Sequence, residues 1–182
     1  ITVWGYDPSS EVFLITDTER SEILHVPFEN MRHAMYAPSG FFIMEGNQFS
    51  PETLHMPADM AAVIRSSIMH NSRAILSEEF DFQGIRGLGT WIAEIPLWSS
   101  LSDWQWIARF SYQVIERRGT GGGGFRTMYA DFLREAVAYV PEISRRGLPD
   151  MMQEISRAWT GLALALKVAS EQTRPDFGDV FG

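Results

Sequence analysis

A glycine-rich segment flanked by arginines is the part of this sequence whose composition most directly suggests chemistry. Residues 115–126 read IERRGTGGGGFR, with five glycines among the six positions 119–124. Glycine loses more backbone freedom on ordering than any other residue, so such a run suggests positive φ angles or the close approach of another group. A helix beginning near Gly123 would direct free N–H groups at the loop, where arginines would add positive charge. The predicted ligand is a carboxylate or phosphate, and the candidate binding residues are Arg117, Arg118, Gly121, Gly122, Gly123 and Arg126.

Two nucleotide-binding motifs match this segment only in part. The spacing of Gly119, Gly121 and Gly124 fits G-x-G-x-x-G, but the preceding residues have a helical pattern, whereas a dinucleotide fingerprint follows a strand. The segment also has the glycine spacing of a Walker A loop, but Phe125 and Arg126 stand where Lys and Ser/Thr are required. Nucleotide binding is therefore disfavoured. A purely structural connector, with its arginines solvated or Arg126 paired with Glu116 across the loop, stays open as the alternative to anion binding.

Other catalytic signatures are missing from the sequence. The chain has no cysteine, which excludes disulfides, thiolate zinc sites and a cysteine nucleophile of its own. No Gly-x-Ser-x-Gly elbow is present, and no pair of histidines has metal-binding spacing, so neither a serine hydrolase nor a metal site is expected. The four histidines are His25, His33, His55 and His70. We expect no cofactor.

Composition describes an ordinary globular protein. The net charge of −8 disfavours general nucleic-acid binding, which requires an excess of Lys and Arg. No apolar run approaches the roughly 20 residues needed to cross a membrane, and no signal-peptide pattern opens the sequence. A cytoplasmic protein that contacts neither nucleic acid nor membrane is expected.

The first part of the chain is predicted to be β structure. Residues 1–4 and 11–16 have strand character and flank a turn-rich segment at 5–10, and 23–26 predicts a third short strand. A short helix is expected at 27–37, followed by one more short strand near 41 and an irregular connection to 57. We therefore expect a β-rich domain at 1–48.

The rest of the chain is predicted to be helical, with a helical domain at 49–174 and a flexible tail at 175–182. Apolar residues recur at helical spacing over five segments: 57–76, 85–95, 102–118, 123–140 and 149–169. Ser102 and Gln105 have the spacing of a capping box, and Pro141 ends the fourth segment. The predicted fold class is α+β, a short antiparallel β segment followed by a bundle of about five helices.

The residues around the glycines also resemble a known family. The run ERRGTGGG at 116–123, with FR at 125–126, MYA at 128–130 and FL at 132–133, is similar to the C-terminal domain labelled DUF4872 of proteins like butirosin biosynthesis protein H. At the other end, VWGYD at 3–7 and VFLITDT at 12–18 are similar to the late β-hairpin of that family's papain-like, C39-peptidase-like half. The resemblance covers essentially the whole chain, and Trp159 in the last predicted helix also stands where the family's pattern has it.

The resemblance implies a cysteine-dependent acyltransferase of antibiotic or secondary-metabolite biosynthesis. In such an enzyme a cysteine accepts an acyl or aminoacyl group from a carrier-protein thioester and passes it to an amine, with a histidine as base and an acid that orients it. In C39-like folds the histidine stands at the start of the strand that leads into the Gly-Tyr-Asp turn, and the acid ends the next strand. On this pattern Asp17 is the orienting acid, although an aspartate in that position is also typical of a simple strand-closing turn.

The nucleophile and base of that reaction are missing from this chain. The resemblance places the histidine just before Ile1 and the cysteine far upstream, so we expect no activity from this chain alone. Because Ile1 begins inside an apolar strand, we expect a C-terminal part of a longer protein or a subunit that pairs with a separate chain. The expected partners are this Cys/His-bearing half, an acyl carrier protein with a phosphopantetheine-linked donor, and a small amine acceptor; a homodimer is left open. A non-catalytic helical interaction module and a cysteine-peptidase-like hydrolase are the alternatives.

Overall fold

A computed structural model describes residues 1–17, 20–38, 44–50, 53, 55–77, 79–173 and 177. It divides the chain into two compact units, residues 1–55 and 56–182, a few residues beyond the expected boundary at 48. The short strand expected near 41 lies outside the described residues, and so does the tail 175–182 except for Phe177. The α+β fold class is confirmed: a three-stranded antiparallel sheet is followed by about seven helices.

The first unit contains the sheet, whose strands follow one another in the order β1-β2-β3. The strands are β1 (Thr2–Asp7), β2 (Val12–Thr16) and β3 (Leu24–Pro27), each antiparallel to the next. The expected turn at 5–10 is wrong in its first half, because Gly5 to Asp7 pair across the sheet with Leu14 to Val12. The pairing shifts by one residue at Trp4, which forms a β-bulge between β1 and β2.

The turn between β1 and β2 is held by the carboxylate of Asp7. One oxygen accepts the main-chain N–H of Ser9 at 2.9 Å and the other accepts the hydroxyl of Ser10 at 2.6 Å. Helix α1 (Phe28–Met35) follows β3 directly. The ring of its first residue, Phe28, stacks on the ring of Phe13 in β2, with 5.9 Å between ring centres. The sheet and this helix therefore share an aromatic contact.

The second unit is helical, and its helices pack around two groups of buried side chains. The helices are α2 (Met60–Ile75), α3 (Gly84–Glu94), α4 (Trp104–Glu116), α5 (Arg126–Ala136), α6 (Glu142–Arg145) and α7 (Leu148–Ser170), with a 3₁₀ helix (Ile95–Ser100) between α3 and α4. One group, including Ile95, Ala108 and Leu166, joins the 3₁₀ helix to α4 and α7. The other, including Ile64 and Leu133, joins α2 to α5. The long helix α7 thus lies against α4 at one end and α5 at the other.

Two sequence predictions about these helices are wrong. The capping box does not form, since no side chain caps α4; instead the amide of Gln105 donates to the main-chain carbonyl of Gln172 at 2.8 Å, beyond the end of α7. Helix α5 begins at Arg126 and not near Gly123. The apolar side chains of Phe125 and Met128 beside its start are 58% and 49% exposed. Within the described residues, no helix is both long and apolar enough to span a bilayer.

Candidate functional site

The glycine loop between α4 and α5 is built almost entirely from positive φ angles. Gly119, Gly121, Gly122, Gly123 and Gly124 have φ values between 57° and 89°. Phe125, which follows them, has a φ of 70°, a rare conformation for a residue with a side chain. The run of glycines is therefore required by the backbone path, as expected from the sequence.

The N–H groups of the loop point back towards the end of α4. The N–H of Gly124 donates to the carbonyl of Ile115 at 2.9 Å, and the N–H of Gly123 donates to a carboxylate oxygen of Glu116 at 2.9 Å. The buried hydroxyl of Thr120 donates to the same Ile115 carbonyl at 2.6 Å and accepts the N–H of Gly122 at 3.4 Å. Three consecutive loop amides thus have acceptors inside the protein.

One carboxylate oxygen of Glu116 joins the loop to α7. Besides the N–H of Gly123, that oxygen accepts the hydroxyl of Thr160 at 2.8 Å. One helical turn before Thr160 in α7, the buried hydroxyl of Ser156 lies 2.7 Å from the hydroxyl of Thr127 in α5. A Cβ on Gly123 would lie 2.9 Å from the carbonyl oxygen of Ser156. The loop therefore packs directly against the α7 backbone.

Arg126 closes the loop from the other side. Its guanidinium donates to the carbonyls of Gly123 at 3.2 Å and Gly124 at 2.9 Å, and it lies 3.8 Å from the centre of the Trp159 ring. The Trp159 ring stacks in turn on Trp91 of α3, with 6.1 Å between centres and 10° between planes. Partial burial lowers the pKa of Arg126, since a charged group is less stable away from water. A cation over an indole face compensates part of that penalty.

The other two arginines of the predicted set are exposed. The Arg118 guanidinium donates to the side chain of Gln113 at 3.0 Å and lies 4.8 Å from the centre of the Phe110 ring. The Glu116–Arg126 ion pair weighed from the sequence does not form between these two described residues, because each uses its charge on other groups. The structure brings all six predicted residues into or beside one loop, and anion binding by them stays a prediction.

Asp17, the predicted orienting acid, directly follows β2. It is partly exposed, and its main-chain carbonyl accepts the N–H of Arg20 at 3.3 Å. The strand register pairs Thr2 with Thr16, so the beginning of β1 lies beside the end of β2. His25 is exposed in β3 opposite Leu14. Within the described residues, no group of three or more acidic or histidine side chains is placed to hold a metal.

Sequence reasoning missed the partners that α7 contributes to the loop. Thr160 and Ser156 carry no motif, and Thr160 is separated from Glu116 by 44 positions. Trp159 entered the sequence analysis only through the family resemblance, and nothing local indicated its contact with Arg126. Glu116, immediately before Arg117 and Arg118, was the one local sign that the protein itself supplies a hydrogen-bond acceptor for the loop.

Comparison with known families extends over most of the chain. The family model described as "Domain of unknown function (DUF4872)" matches residues 29–181, a span that includes the glycine loop and every helix of the second unit. No curated protein and no solved structure matches the chain.

Proposed function

The chain belongs to the DUF4872 family, and from that premise we propose that it is the C-terminal part of a cysteine-dependent acyltransferase related to butirosin biosynthesis protein H. The proposed reaction moves an acyl or aminoacyl group from a carrier-protein thioester to an amine of a small acceptor. The cysteine and histidine belong to a papain-like segment outside these residues, since the chain has no cysteine.

The position of Asp17 carries the proposal. Thr2 and Thr16 are cross-strand partners, so Ile1 is the neighbour of Asp17 at the same edge of the sheet. A histidine immediately before Ile1 in an intact enzyme would enter β1 at this edge, where β2 ends beside Asp17. The proposed chemistry needs an acid and an imidazole near one another, and this edge of the sheet is where the proposal brings them together.

The chemistry assigns each group one task. The thiolate attacks the thioester carbonyl, a bond forms between its sulfur and the acyl carbon, and the carrier leaves as a thiol after taking the proton held by the imidazolium. The acceptor amine then attacks the acyl-enzyme, the imidazole takes a proton from the nitrogen, and the cysteine leaves as a thiolate. Asp17 would orient the imidazole and stabilise its charged form.

The contacts of the glycine loop favour a structural contribution to this function. The amides of Gly122, Gly123 and Gly124 already have internal acceptors, and Arg126 is engaged by loop carbonyls and an indole ring. Of the six predicted anion-binding residues, Arg117, Arg118 and Gly121 are exposed, and the guanidinium of Arg118 already contacts Gln113 and Phe110.

The proposal is tested by reconstituting transfer with the polypeptide that supplies the cysteine and histidine. The chain, tagged and captured from its own cells, should be recovered with that polypeptide, and intact-mass spectrometry should show an acyl adduct on the cysteine after addition of loaded carrier. Asp17→Asn should lower transfer by about 10²–10⁴-fold while the complex stays assembled. Glu22→Gln, a change of the same kind at an exposed residue between β2 and β3, serves as the matched control.

Two results would overturn the proposal. One is recovery of the chain without any cysteine-bearing polypeptide. The other is an assembled complex in which Asp17→Asn transfers the acyl group as fast as Glu22→Gln does.

A further inference from the structure

The outer face of α4 carries an exposed aromatic stripe. Trp106, Phe110 and Val114 lie one helical turn apart and are 62%, 36% and 42% exposed. The rings of Trp106 and Phe110 stack with 4.9 Å between centres and 10° between planes, so they form one continuous apolar surface. The buried residues of α4 are Trp104, Ala108 and Ile115, on the opposite side of the helix. Burial against α7 therefore leaves the stripe facing outwards.

Two charged residues lie at the ends of this stripe at equal spacing from Phe110, and a third, Arg118, has its guanidinium 4.8 Å from the centre of the Phe110 ring. Asp103 precedes Phe110 by seven residues and Arg117 follows it by seven, while Trp106 and Val114 are each four residues away. With 3.6 residues per turn, all five positions lie within about a quarter of the helix circumference. Neither Asp103 nor Arg117 has an ion-pair partner among the described residues.

We propose that this stripe binds the same stripe of a second copy of the chain, with the two α4 helices antiparallel and Phe110 on the twofold axis. Trp106 then meets Val114 of the second copy, and Asp103 meets Arg117 of the second copy. A twofold interface must be self-complementary, and a stripe that sets the larger Trp106 against the smaller Val114, with opposite charges at its two ends, meets that condition. A parallel arrangement would instead place Asp103 against Asp103 and Arg117 against Arg117.

The residue types also suit an interface. Trp, Phe and Arg are enriched where proteins associate, and the central residues of an interface contribute most of its stability. The chain as a whole has a charge of −8, which opposes self-association, so an interface between copies needs local neutralisation. The two Asp103–Arg117 pairs provide it. This inference does not depend on the proposed acyl transfer.

A charge exchange tests the pairing directly by sedimentation equilibrium. Asp103→Arg and Arg117→Asp should each raise the dimer dissociation constant about tenfold, because each places like charges against one another at both ends of the interface. The double variant should restore the dissociation constant to within about threefold of the parent value. The side chain of Asp103 makes no capping hydrogen bond to α4, so its replacement removes none. Thermal melts of each variant verify folding.

A cysteine trap supplies a second measurement, which the absence of native cysteine makes clean. Phe110→Cys should form an intermolecular disulfide under mild oxidation, whereas Met151→Cys, exposed on α7, should not. A chain that is monomeric at all accessible concentrations overturns the proposal. It is also overturned by a dimer that the double exchange fails to restore, or by equal cross-linking of the two cysteine variants.

Discussion

The carboxylate of Glu116 accepts the main-chain N–H of Gly123 at 2.9 Å and so fixes the glycine loop to the end of α4. The same oxygen accepts the hydroxyl of Thr160 from α7. The N–H groups of a glycine-rich loop favour an anionic acceptor, and the N–H of Gly123 has one that belongs to the protein. An internal carboxylate needs no association step, so it competes effectively with a dissolved anion for that donor.

Removing the Glu116 carboxylate should destabilise the protein. Glu116→Ala leaves the N–H of the buried Gly123 and the hydroxyl of Thr160 without their acceptor, a loss of about 2 kcal/mol in the free energy of unfolding. Glu116→Gln keeps an acceptor oxygen and should lose about half as much. Urea denaturation measures both, with Glu135→Ala, an exposed change on α5, as control. Equal stabilities of the two alanine variants would show that the loop does not depend on this carboxylate.

Gly123 should be the least replaceable residue of the loop. Gly123→Ala combines a φ of 57° with a Cβ only 2.9 Å from the Ser156 carbonyl oxygen, and should cost about 3 kcal/mol of stability. Gly122→Ala also has a positive φ, but its nearest contact would be an ordinary 3.5 Å, so about 1 kcal/mol is expected. Thermal unfolding of both variants gives the comparison, and a larger loss for Gly122→Ala would contradict the close packing of Gly123 on α7.

The Arg126 side chain and the Trp159 ring should be energetically coupled. A double-mutant cycle with Arg126→Met and Trp159→Leu is expected to give a coupling free energy of about 1 kcal/mol, measured by chemical denaturation. Arg126→Lys should not restore full stability, because an ammonium lacks the planar guanidinium that stacks on the indole while it donates to the loop carbonyls. Arg157→Lys, an exposed change on α7, is the control. Additive effects in the cycle would rule out the interaction.

The turn held by Asp7 should weaken in acid. Hydrogen bonds from the side chain of Ser10 and the N–H of Ser9 hold the pKa of Asp7 below its ordinary value of 3.8. Because the folded pKa is the lower one, ionised Asp7 contributes to stability above about pH 3.8, and that contribution is lost as the pH falls through the folded pKa. An NMR titration of the Ser9 amide should follow this change. Ser10→Ala should move the midpoint upwards, and a parent midpoint at the ordinary value would refute the account.

Local sequence patterns predicted where helices and strands lie better than they predicted which residues contact one another. The hydrophobic spacing in α2 and α7 predicted both helices within a few residues, because each buries one face. The β-hairpin was predicted with its turn too long, since nothing local shows that Gly5 to Asp7 continue the pairing with β2. The exposure of Phe125 was not predictable either, because nothing in its residue type indicates the left-handed φ of 70° that it adopts before α5.

What the sequence determined by itself was the existence of the glycine loop, its positive φ angles, its arginines and the family to which the chain belongs. Those properties are local, because they depend on residue type and near-neighbour spacing. Only the tertiary structure decided which groups of the protein contact the loop. Thr160 reaches Glu116, and Trp159 reaches Arg126, only when α7 packs across α4 and α5, and residues separated by more than thirty positions carry no mutual signal in a single sequence.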